Sequence, residues 1–240
     1  VAEQTPGDDL YLGLDLRMQQ MAESLLGEEA GAVVVLDTTN GDVLALASRP
    51  AFDPNQLSRG LTPATWEQIV TDPRHPLTNR ALQGQYPPGS TFKIVVAAAA
   101  LESDKWSSDT KVHCTGAFPS GNHVFKDWKK GGHGVMDMEQ AIVNSCDVYF
   151  YNIGHRLGID AIAETARWFG LGQPTGIDLP SERVGLVPST EWKQRVRKEP
   201  WYAGETISVA IGQGYVSVTP LQMAVATAAV ANGGILYKPR

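Results

Sequence analysis

The chain has 240 residues, of which 42% are hydrophobic and 19% are charged, so it can bury a sizeable core and is not a disordered polypeptide. Its formal net charge is −6, and no run of basic residues is longer than Lys129–Lys130, which excludes the basic footprint of nucleic-acid-binding proteins. The longest apolar run, 94–101, is far shorter than the ~20 residues of a membrane span, and no signal-peptide pattern opens the chain. Because the chain starts at Val1 and not at Met, we expect a soluble segment cut from a longer protein.

The first predicted element is an amphipathic helix, because apolar side chains recur at helical spacing over 14–26. Two apolar runs follow, 32–36 and 43–47, and Asn40–Gly41 between them supplies the positive φ that a tight antiparallel hairpin needs. From Pro50 to Pro88 the sequence predicts a surface excursion with one short helix. That helix begins at Pro63, ends at Val70 and is capped by Thr62.

The second half of the chain alternates helical and irregular patterns. An alanine-rich helix is predicted from Ser90 to Leu101, and its small side chains suit a central, closely packed position. The other predicted segments are a polar loop region, helices, an irregular stretch and a strand: 103–135 (loop), 138–157, 159–169 and 219–231 (helices), 176–200 (irregular) and 235–237 (strand). No repeat or linker is visible, so we predict a single domain over 1–240, with 1–30 as an N-terminal lead-in that contains the first helix.

Ser90 and Lys93 form a candidate nucleophile and base. A serine hydroxyl needs an adjacent base, and a lysine three residues later on a helix faces the same side. Apolar neighbours make it easier for Lys93 to lose its charge, and the positive end of the helix dipole favours negative charge at Ser90. Taken alone, the pattern is more typical of a helix-capping serine and a solvated lysine.

The motifs around this pair resemble those of one enzyme family. In chain order they are Pro87-Pro88-Gly89-Ser90-Thr91-Phe92-Lys93, Ser145-Cys146-Asp147, Gly212-Gln213-Gly214 and Thr219-Pro220-Leu221-Gln222. This order is similar to that of the transpeptidase domain of penicillin-binding proteins, and the resemblance runs from about Gly31 to the end of the chain. Two further segments resemble the class B members that act in cell elongation: Asp127-Trp128-Lys129-Lys130 and Pro200-Trp201-Tyr202.

The resemblance implies an α/β (α+β) fold of the serine β-lactamase/DD-transpeptidase type, with an antiparallel sheet packed against helices and incomplete at its C-terminus. It implies a DD-transpeptidase that crosslinks peptidoglycan stem peptides through an acyl-enzyme on Ser90 and that penicillins acylate, with no cofactor needed for catalysis. The Ser90 backbone N–H would form half of an oxyanion hole. By the same resemblance, the parent protein would lie at the periplasmic face of the bacterial inner membrane and work with a glycosyltransferase of the SEDS class.

The second and third motifs depart from the family pattern. Ser145 would relay a proton between Lys93 and the leaving amine, and Asp147 stands where many relatives carry Asn. An aspartate there is expected to pair with Lys93 until substrate arrives. No Lys-Thr-Gly or Lys-Ser-Gly occurs in the 240 residues, so we expect this segment alone to be inactive.

Cys114, Asp127, His133 and Cys146 form a second constellation of zinc-type ligands in or beside the polar segment 103–135. Their spacings match no local zinc-finger pattern, and some elongation-type relatives look equipped with a comparable zinc site that has a carboxylate in place of Cys114. A buried free Cys146, a Cys114–Cys146 disulfide and surface roles for Asp127 and His133 remain alternatives. Two further histidines compete as ligands: His113 and His123.

Three other functions are compatible with parts of the pattern. A serine β-lactamase shares the fold and first motif but needs a hydrolytic base, and the sequence identifies none. A β-lactam sensor domain would use the same acylation as a signal, against which the Asp127-Trp128 and Pro200-Trp201 segments argue. A purely structural interaction domain is the third alternative.

Overall fold

The computed structural model describes residues 7–240, so the first six residues of the predicted 1–30 lead-in lie outside the described part of the chain. Its α-helices are α1 Leu16–Leu26, α2 Pro54–Arg59, α3 Pro63–Thr71, α4 Arg80–Gln83, α5 Lys93–Glu102, α6 Met138–Val143, α7 Asp147–Leu157, α8 Ile159–Trp168, α9 Thr190–Arg197, α10 Ala203–Val209 and α11 Pro220–Ala231. Its strands are β1 Gly31–Leu36, β2 Val43–Arg49, β3 Val112–Cys114, β4 Ala117–Ser120, β5 His123–Lys126 and β6 Gly134–Met136.

The N-terminal layer is an antiparallel hairpin with a helix packed on it. β1 pairs with β2 in the register Val34↔Leu46, with an irregularity at the Val35/Leu36 step. Ala45 and Ala47 of β2 are buried with Ala22 of α1, which is capped by the Asp15 carboxylate. The predicted helix, hairpin and antiparallel sheet against helices are therefore confirmed.

The main core lies among α5, α7, α8 and α10. The side chains of Phe92, Tyr149 and Phe150 are fully buried there. Small residues let the helices approach closely, since a Cβ on Gly154 of α7 would lie 2.7 Å from the Cβ of Ala210. This close packing holds the N-terminal ends of α5 and α7 against each other. The candidate catalytic residues lie at these two ends.

The excursion 50–88 contains more helix than predicted. α3 has the predicted start, with the Thr62 hydroxyl accepting from the Thr65 N–H and Pro63 in the first turn. The structure adds α2 and α4, each capped by a side chain, Asp53 and Asn79 respectively. Both helices are too short to show an apolar period, so their cap residues are the only sequence signal for them.

The prediction of a polar loop over 103–135 is wrong, because this segment contains short paired strands. β3 pairs with β6, and β4 pairs with β5, both antiparallel. Phe118 and Phe125 from the second pair pack against the Tyr151 ring of α7. Strands of three or four residues with polar faces show little alternation, and tertiary packing of their few aromatic side chains holds them in place.

The prediction of one helix over 138–157 is also wrong. The chain breaks between α6 and α7, and Ser145 takes a left-handed conformation with φ +51°. The helical period continues across this break in the sequence, so the pattern could not show it. The break coincides with the second motif.

Two C-terminal predictions need correction, while α8 and α11 agree with the sequence. The irregular stretch 176–200 contains α9, capped by Ser189. Residues 235–237 form no strand, although Arg240 N–H donates to Gly41 O and Arg240 O accepts from Val43 N–H. Within residues 7–240, no helix is both long and apolar enough to cross a membrane.

Candidate active site and buried metal-binding cluster

Ser90 lies in a 3₁₀ turn, Gly89–Phe92, that leads directly into α5. Its side chain is exposed at the surface. The preceding Gly89 has φ +58°, and its N–H donates to Gly212 O at 2.9 Å. A Cβ on Gly212 would lie 2.1 Å from Gly89 O, so only glycine permits this contact. The Gly212-Gln213-Gly214 motif therefore supports the backbone that presents the nucleophile.

Lys93 is the first residue of α5, and only 2% of its surface is exposed. The 3₁₀ geometry places residues i and i+3 above one another, as the sequence predicted for Ser90 and Lys93. Lys93 Nζ lies 2.5 Å from Asp147 Oδ1, 3.0 Å from Ser145 Oγ and 2.8 Å from Ser145 O. The predicted pairing of Lys93 with Asp147 is present in this geometry, and it compensates the charge of an otherwise buried ammonium group.

The hydroxyl of Ser145 connects the two predicted catalytic groups. Ser145 Oγ lies 2.8 Å from Ser90 Oγ and accepts from Lys93 Nζ. From the sequence we expect Lys93 to take the Ser90 proton directly, whereas the structure has the Ser145 hydroxyl hydrogen-bonded to both groups. In the structure Lys93 Nζ donates to Ser145 Oγ, and Ser145 Oγ in turn donates to Ser90 Oγ. Because a hydroxyl both donates and accepts, both bonds can reverse once Lys93 has lost a proton, and the chain can then move a proton from Ser90 toward Lys93.

Cys114, Asp127, His133 and Cys146 meet in one buried cluster. Their ligand atoms all lie within 4.8 Å of one another. His133 Nδ1 is 3.5 Å from both Cys114 Sγ and Asp127 Oδ1, and Cys146 Sγ is 3.5 Å from Asp127 Oδ2. The competing ligands His113 and His123 are exposed residues outside this group. The surface roles considered for Asp127 and His133 are wrong, because their side chains are 0% and 2% exposed.

The electrostatics of the cluster suit a cation. Burial would raise the pKa of Asp127, but hydrogen bonds from the N–H groups of Lys129 and Val148 and from the Cys114 thiol, together with the nearby His133, outweigh it, and the net pKa lies below its usual value. Burial raises the pKa of the Cys146 thiol. Both cysteines are free thiols in the structure and form no disulfide. Two sulfurs, an imidazole and a carboxylate held this close could bind a metal ion, which would displace the thiol protons.

Two contributors to the site were not assigned a role from sequence. Trp128, whose ring lies 5.4 Å from that of His133, donates its indole N–H to the carbonyls of Asn144 and Ser145. The glycine at 212 was noticed only as part of a motif. Trp128 and Gly212 both contact segments that are distant in the sequence. The only sequence signal for either residue was therefore its position within or beside a recognised motif.

An exposed serine on a 3₁₀ turn, joined through a second hydroxyl to a buried lysine, is an arrangement suited to a serine acyl-transfer enzyme. Residues 31–240 match the family model described as penicillin binding protein transpeptidase domain, and the chain belongs to that family. This confirms the resemblance and the predicted fold class.

Relatives of known identity extend the comparison. The chain is 47% identical to peptidoglycan D,D-transpeptidase MrdA of Acinetobacter baumannii over 96% of this chain and 34% of that protein. It is similar to Pseudomonas aeruginosa PBP2 in complex with WCK 5153, with a TM-score of 0.93, 40% identity and coverage of 98% of this chain and 54% of that one. A chain from a peptidoglycan synthase complex that coordinates polymerization and crosslinking gives a TM-score of 0.88 and 39% identity, covering 97% of this chain and 43% of that one. This chain therefore spans about a third of the length of the curated relatives it matches.

Proposed function

We propose that the protein containing this chain is a peptidoglycan DD-transpeptidase of cell elongation, with Ser90 as nucleophile and Lys93, Ser145 and Asp147 as its proton-handling groups. The observation that supports it most is the continuous hydrogen-bonded path from Ser90 Oγ through Ser145 Oγ to Lys93 Nζ. Membership of the penicillin-binding family and similarity to MrdA favour the same reaction and substrate.

In the proposed reaction, Ser90 Oγ attacks the carbonyl carbon of the penultimate D-Ala of a stem peptide. The Ser90 proton passes through Ser145 toward Lys93, and the same path returns a proton to the amine of the terminal D-Ala as it leaves. The bond energy is kept as an ester on Ser90 until an amine from a neighbouring stem peptide attacks it. Lys93 Nζ donates to Asp147 Oδ1, so Lys93 accepts the Ser90 proton only after passing its own proton to the Asp147 carboxylate, and Asp147 thereby sets the resting state of the base.

The same attack explains acylation by penicillins, which present a strained amide to Ser90. Labelling of the complete protein with a fluorescent penicillin tests the proposal. We expect one label per chain on the peptide that contains Ser90, none after Ser90→Ala, and full labelling after Ser58→Ala, which removes an exposed hydroxyl of α2. Label on another residue, or label retained by Ser90→Ala, would contradict the assignment.

The lifetime of the labelled enzyme separates the alternatives. Loss of label within seconds would favour a β-lactamase, whereas retention for hours fits a transpeptidase or a sensor. A crosslinking assay with polymerised peptidoglycan then divides these two. The segment 1–240 contains no Lys-Thr-Gly or Lys-Ser-Gly, and we expect it to be labelled far more slowly than the complete protein.

For the complete protein we propose the periplasmic face of the bacterial inner membrane as location and a SEDS-class glycosyltransferase as partner. The similarity to a chain from a peptidoglycan synthase complex that coordinates polymerization and crosslinking supports this partner. Co-purification of the complete protein with the candidate glycosyltransferase, compared with a truncated form that lacks residues outside 1–240, tests whether the contact lies within this chain.

We propose that the buried cluster holds a structural Zn²⁺ through Cys114 Sγ, Asp127, His133 Nδ1 and Cys146 Sγ. The donor types and their mutual approach within 4.8 Å suit the closed four-ligand sites that zinc prefers. When bound, the ion supplies a cross-link between the 103–135 segment and the start of α7. Elemental analysis should give about one zinc per chain, retained by His113→Ala and lost by His133→Ala. A content below ~0.2 per chain would contradict the proposal, since closed structural sites bind zinc tightly at neutral pH.

A further inference from the structure

Ser145 is held in an unusual conformation at the centre of the proposed proton path. Its φ of +51° places it in the left-handed region, which residues with a Cβ seldom adopt. Such a conformation persists only where surrounding contacts enforce it. The contacts that enforce it also determine where Ser145 Oγ points, because the side chain leaves the backbone at this residue.

Two donors meet at the carbonyl oxygen of Ser145. One is Lys93 Nζ at 2.8 Å, and the other is the indole Nε1 of Trp128 at 3.1 Å. The same indole N–H also lies 3.2 Å from Asn144 O. Since a carbonyl oxygen has two lone pairs, these two donors satisfy it, and the indole N–H ties together the carbonyls of the two consecutive residues Asn144 and Ser145.

The backbone next to Trp128 is held in place by several hydrogen bonds. The N–H of its neighbour Asp127 donates to Gly116 O, and the Asp127 carboxylate accepts from the N–H groups of Lys129 and Val148. The indole ring meets the ring of His133 edge to face. Asp127 and His133 belong to the buried cluster, so the segment that carries Trp128 is fixed by the same residues that would hold the metal.

We infer that Trp128 is a positioning residue for acyl transfer, which holds the Ser145 peptide so that Ser145 Oγ stays hydrogen-bonded to both Ser90 and Lys93. This inference rests on the proposed function of Ser90. The side chain makes little core contact, because 66% of the residue is exposed. A purely structural role would therefore contribute little, whereas the indole N–H reaches the carbonyls of Asn144 and Ser145, which belong to the peptide groups on either side of the relay side chain.

Acylation kinetics of the complete protein with a fluorescent penicillin test this role. Trp128→Phe keeps an aromatic ring and removes the indole donor, and we expect the acylation rate constant to fall about tenfold with an unchanged thermal unfolding midpoint. Trp106→Phe is the matched control, because Trp106 Nε1 donates to Tyr149 Oη within the core and not to the site. We expect this control to unfold at a lower temperature and to acylate within about twofold of the unmodified protein.

A double-mutant cycle with Ser145→Ala identifies the path of the effect. If Trp128 acts by placing Ser145 Oγ, Trp128→Phe causes no further loss once that hydroxyl is gone. A full tenfold loss in the Ser145→Ala background would overturn the inference, because the indole would then act on the substrate. An unchanged rate for Trp128→Phe alone would overturn it as well. If the unmodified protein took no label on Ser90, the proposed function would fail first, and the two failures are therefore distinguishable.

Discussion

The protein buries two lysines in similar ways, and only one of them lies at the proposed active site. Lys93 and Lys193 have side chains that are 3% and 1% exposed, and each Nζ lies 2.5 Å from a carboxylate oxygen, on Asp147 and Glu205 respectively. Each also lies near aromatic faces: Phe150 for Lys93, and Trp201, Tyr202 and Tyr215 for Lys193.

The difference between them lies in the third partner. Lys93 has a hydroxyl at 3.0 Å that is itself bonded to an exposed serine. Lys193 has instead a second carboxylate, Glu199 at 3.8 Å, and an aromatic surround. Burial opposes the charge on Lys193, but its hydrogen bond to Glu205 and the charge attraction of Glu205, Tyr215 and Glu199 together outweigh this and raise the lysine pKa above its usual value. A buried, carboxylate-paired lysine is therefore not by itself a functional signal, and the adjacent pair of hydroxyls is what distinguishes Lys93.

The largest expected effect comes from removing Lys93. Lys93→Met should lower the rate of penicillin acylation by about a thousandfold, because Ser90 then lacks a base. Asp147 would be left with a poorly solvated charge, so the variant is also made together with Asp147→Asn to separate lost chemistry from lost stability. Lys105→Met, at an exposed lysine beyond α5, is the control and should acylate normally. If the Lys93 variants were acylated within tenfold of the normal rate, the proposed functional difference between Lys93 and Lys193 would be contradicted.

The second-largest expected effect comes from disturbing the contact between Gly212, which follows α10, and Gly89, which precedes Ser90. Glu205 of α10 pairs with Lys193, and shortly after α10 ends Gly212 abuts Gly89. Gly212→Ala must displace Gly89, because its Cβ would lie 2.1 Å from Gly89 O. We expect about a hundredfold slower acylation, since misplacing a reacting group by about 1 Å costs this much.

Gly214→Ala is the matched control for this effect. It introduces a Cβ at a similar positive φ, +74°, but meets only side chains, the nearest at 3.3 Å. Both variants therefore carry backbone strain, and only one pushes on the residue before Ser90. Equal losses in the two variants would assign the effect to strain in the turn and not to the Gly89 contact.

Sequence patterns predicted Lys93 and could not predict Lys193, for a physical reason. The Ser90–Lys93 relation is local, because three residues on a helix or 3₁₀ turn bring two side chains to one face. The partners of Lys193 come from two segments outside its own helix, 199–205 and the residue Tyr215, which only the folded chain brings to it. The same limit applies to Trp128 and to the strands within 103–135, where tertiary contacts override weak local patterns. The sequence showed four side chains of types that bind metal ions. It could not show that they meet in the fold, because that depends on the break between α6 and α7 at Ser145.

Removing Lys193 should affect stability and leave the chemistry intact. Lys193→Met leaves Glu205 with an unbalanced charge against aromatic rings, and we expect the thermal unfolding midpoint to fall by several degrees. Adding Glu205→Gln should recover part of that loss, since the unpaired carboxylate is then removed. Acylation measured well below the unfolding transition should stay within about threefold of normal. A loss as large as that of Lys93→Met would mean that the aromatic surround of Lys193 takes part in the reaction.

The smallest expected effect comes from relieving backbone strain, which occurs once beside Lys93 and once at the end of the helix that carries Lys193. Ser145 beside Lys93 and Lys198 at the end of α9, which also carries Lys193, both have left-handed backbones, with φ of +51° and +60°. Lys198 ends a helix in the conformation that glycine adopts without cost, so Lys198→Gly should stabilise the protein by about 0.5–1 kcal/mol and leave acylation unchanged. Lys198→Ala keeps the strained Cβ and should not stabilise.

Ser145→Gly relieves the same kind of strain and should nevertheless slow acylation as much as Ser145→Ala, because the relay hydroxyl is lost in both. Chemical denaturation of the complete protein, followed by a signal from this domain, measures the stability change, and penicillin labelling measures the rate. If Lys198→Gly gave no stabilisation, strain at φ near +60° would be negligible in this fold. The left-handed Ser145 would then require no contact to enforce it, and a Trp128 contribution to acylation would have to arise elsewhere.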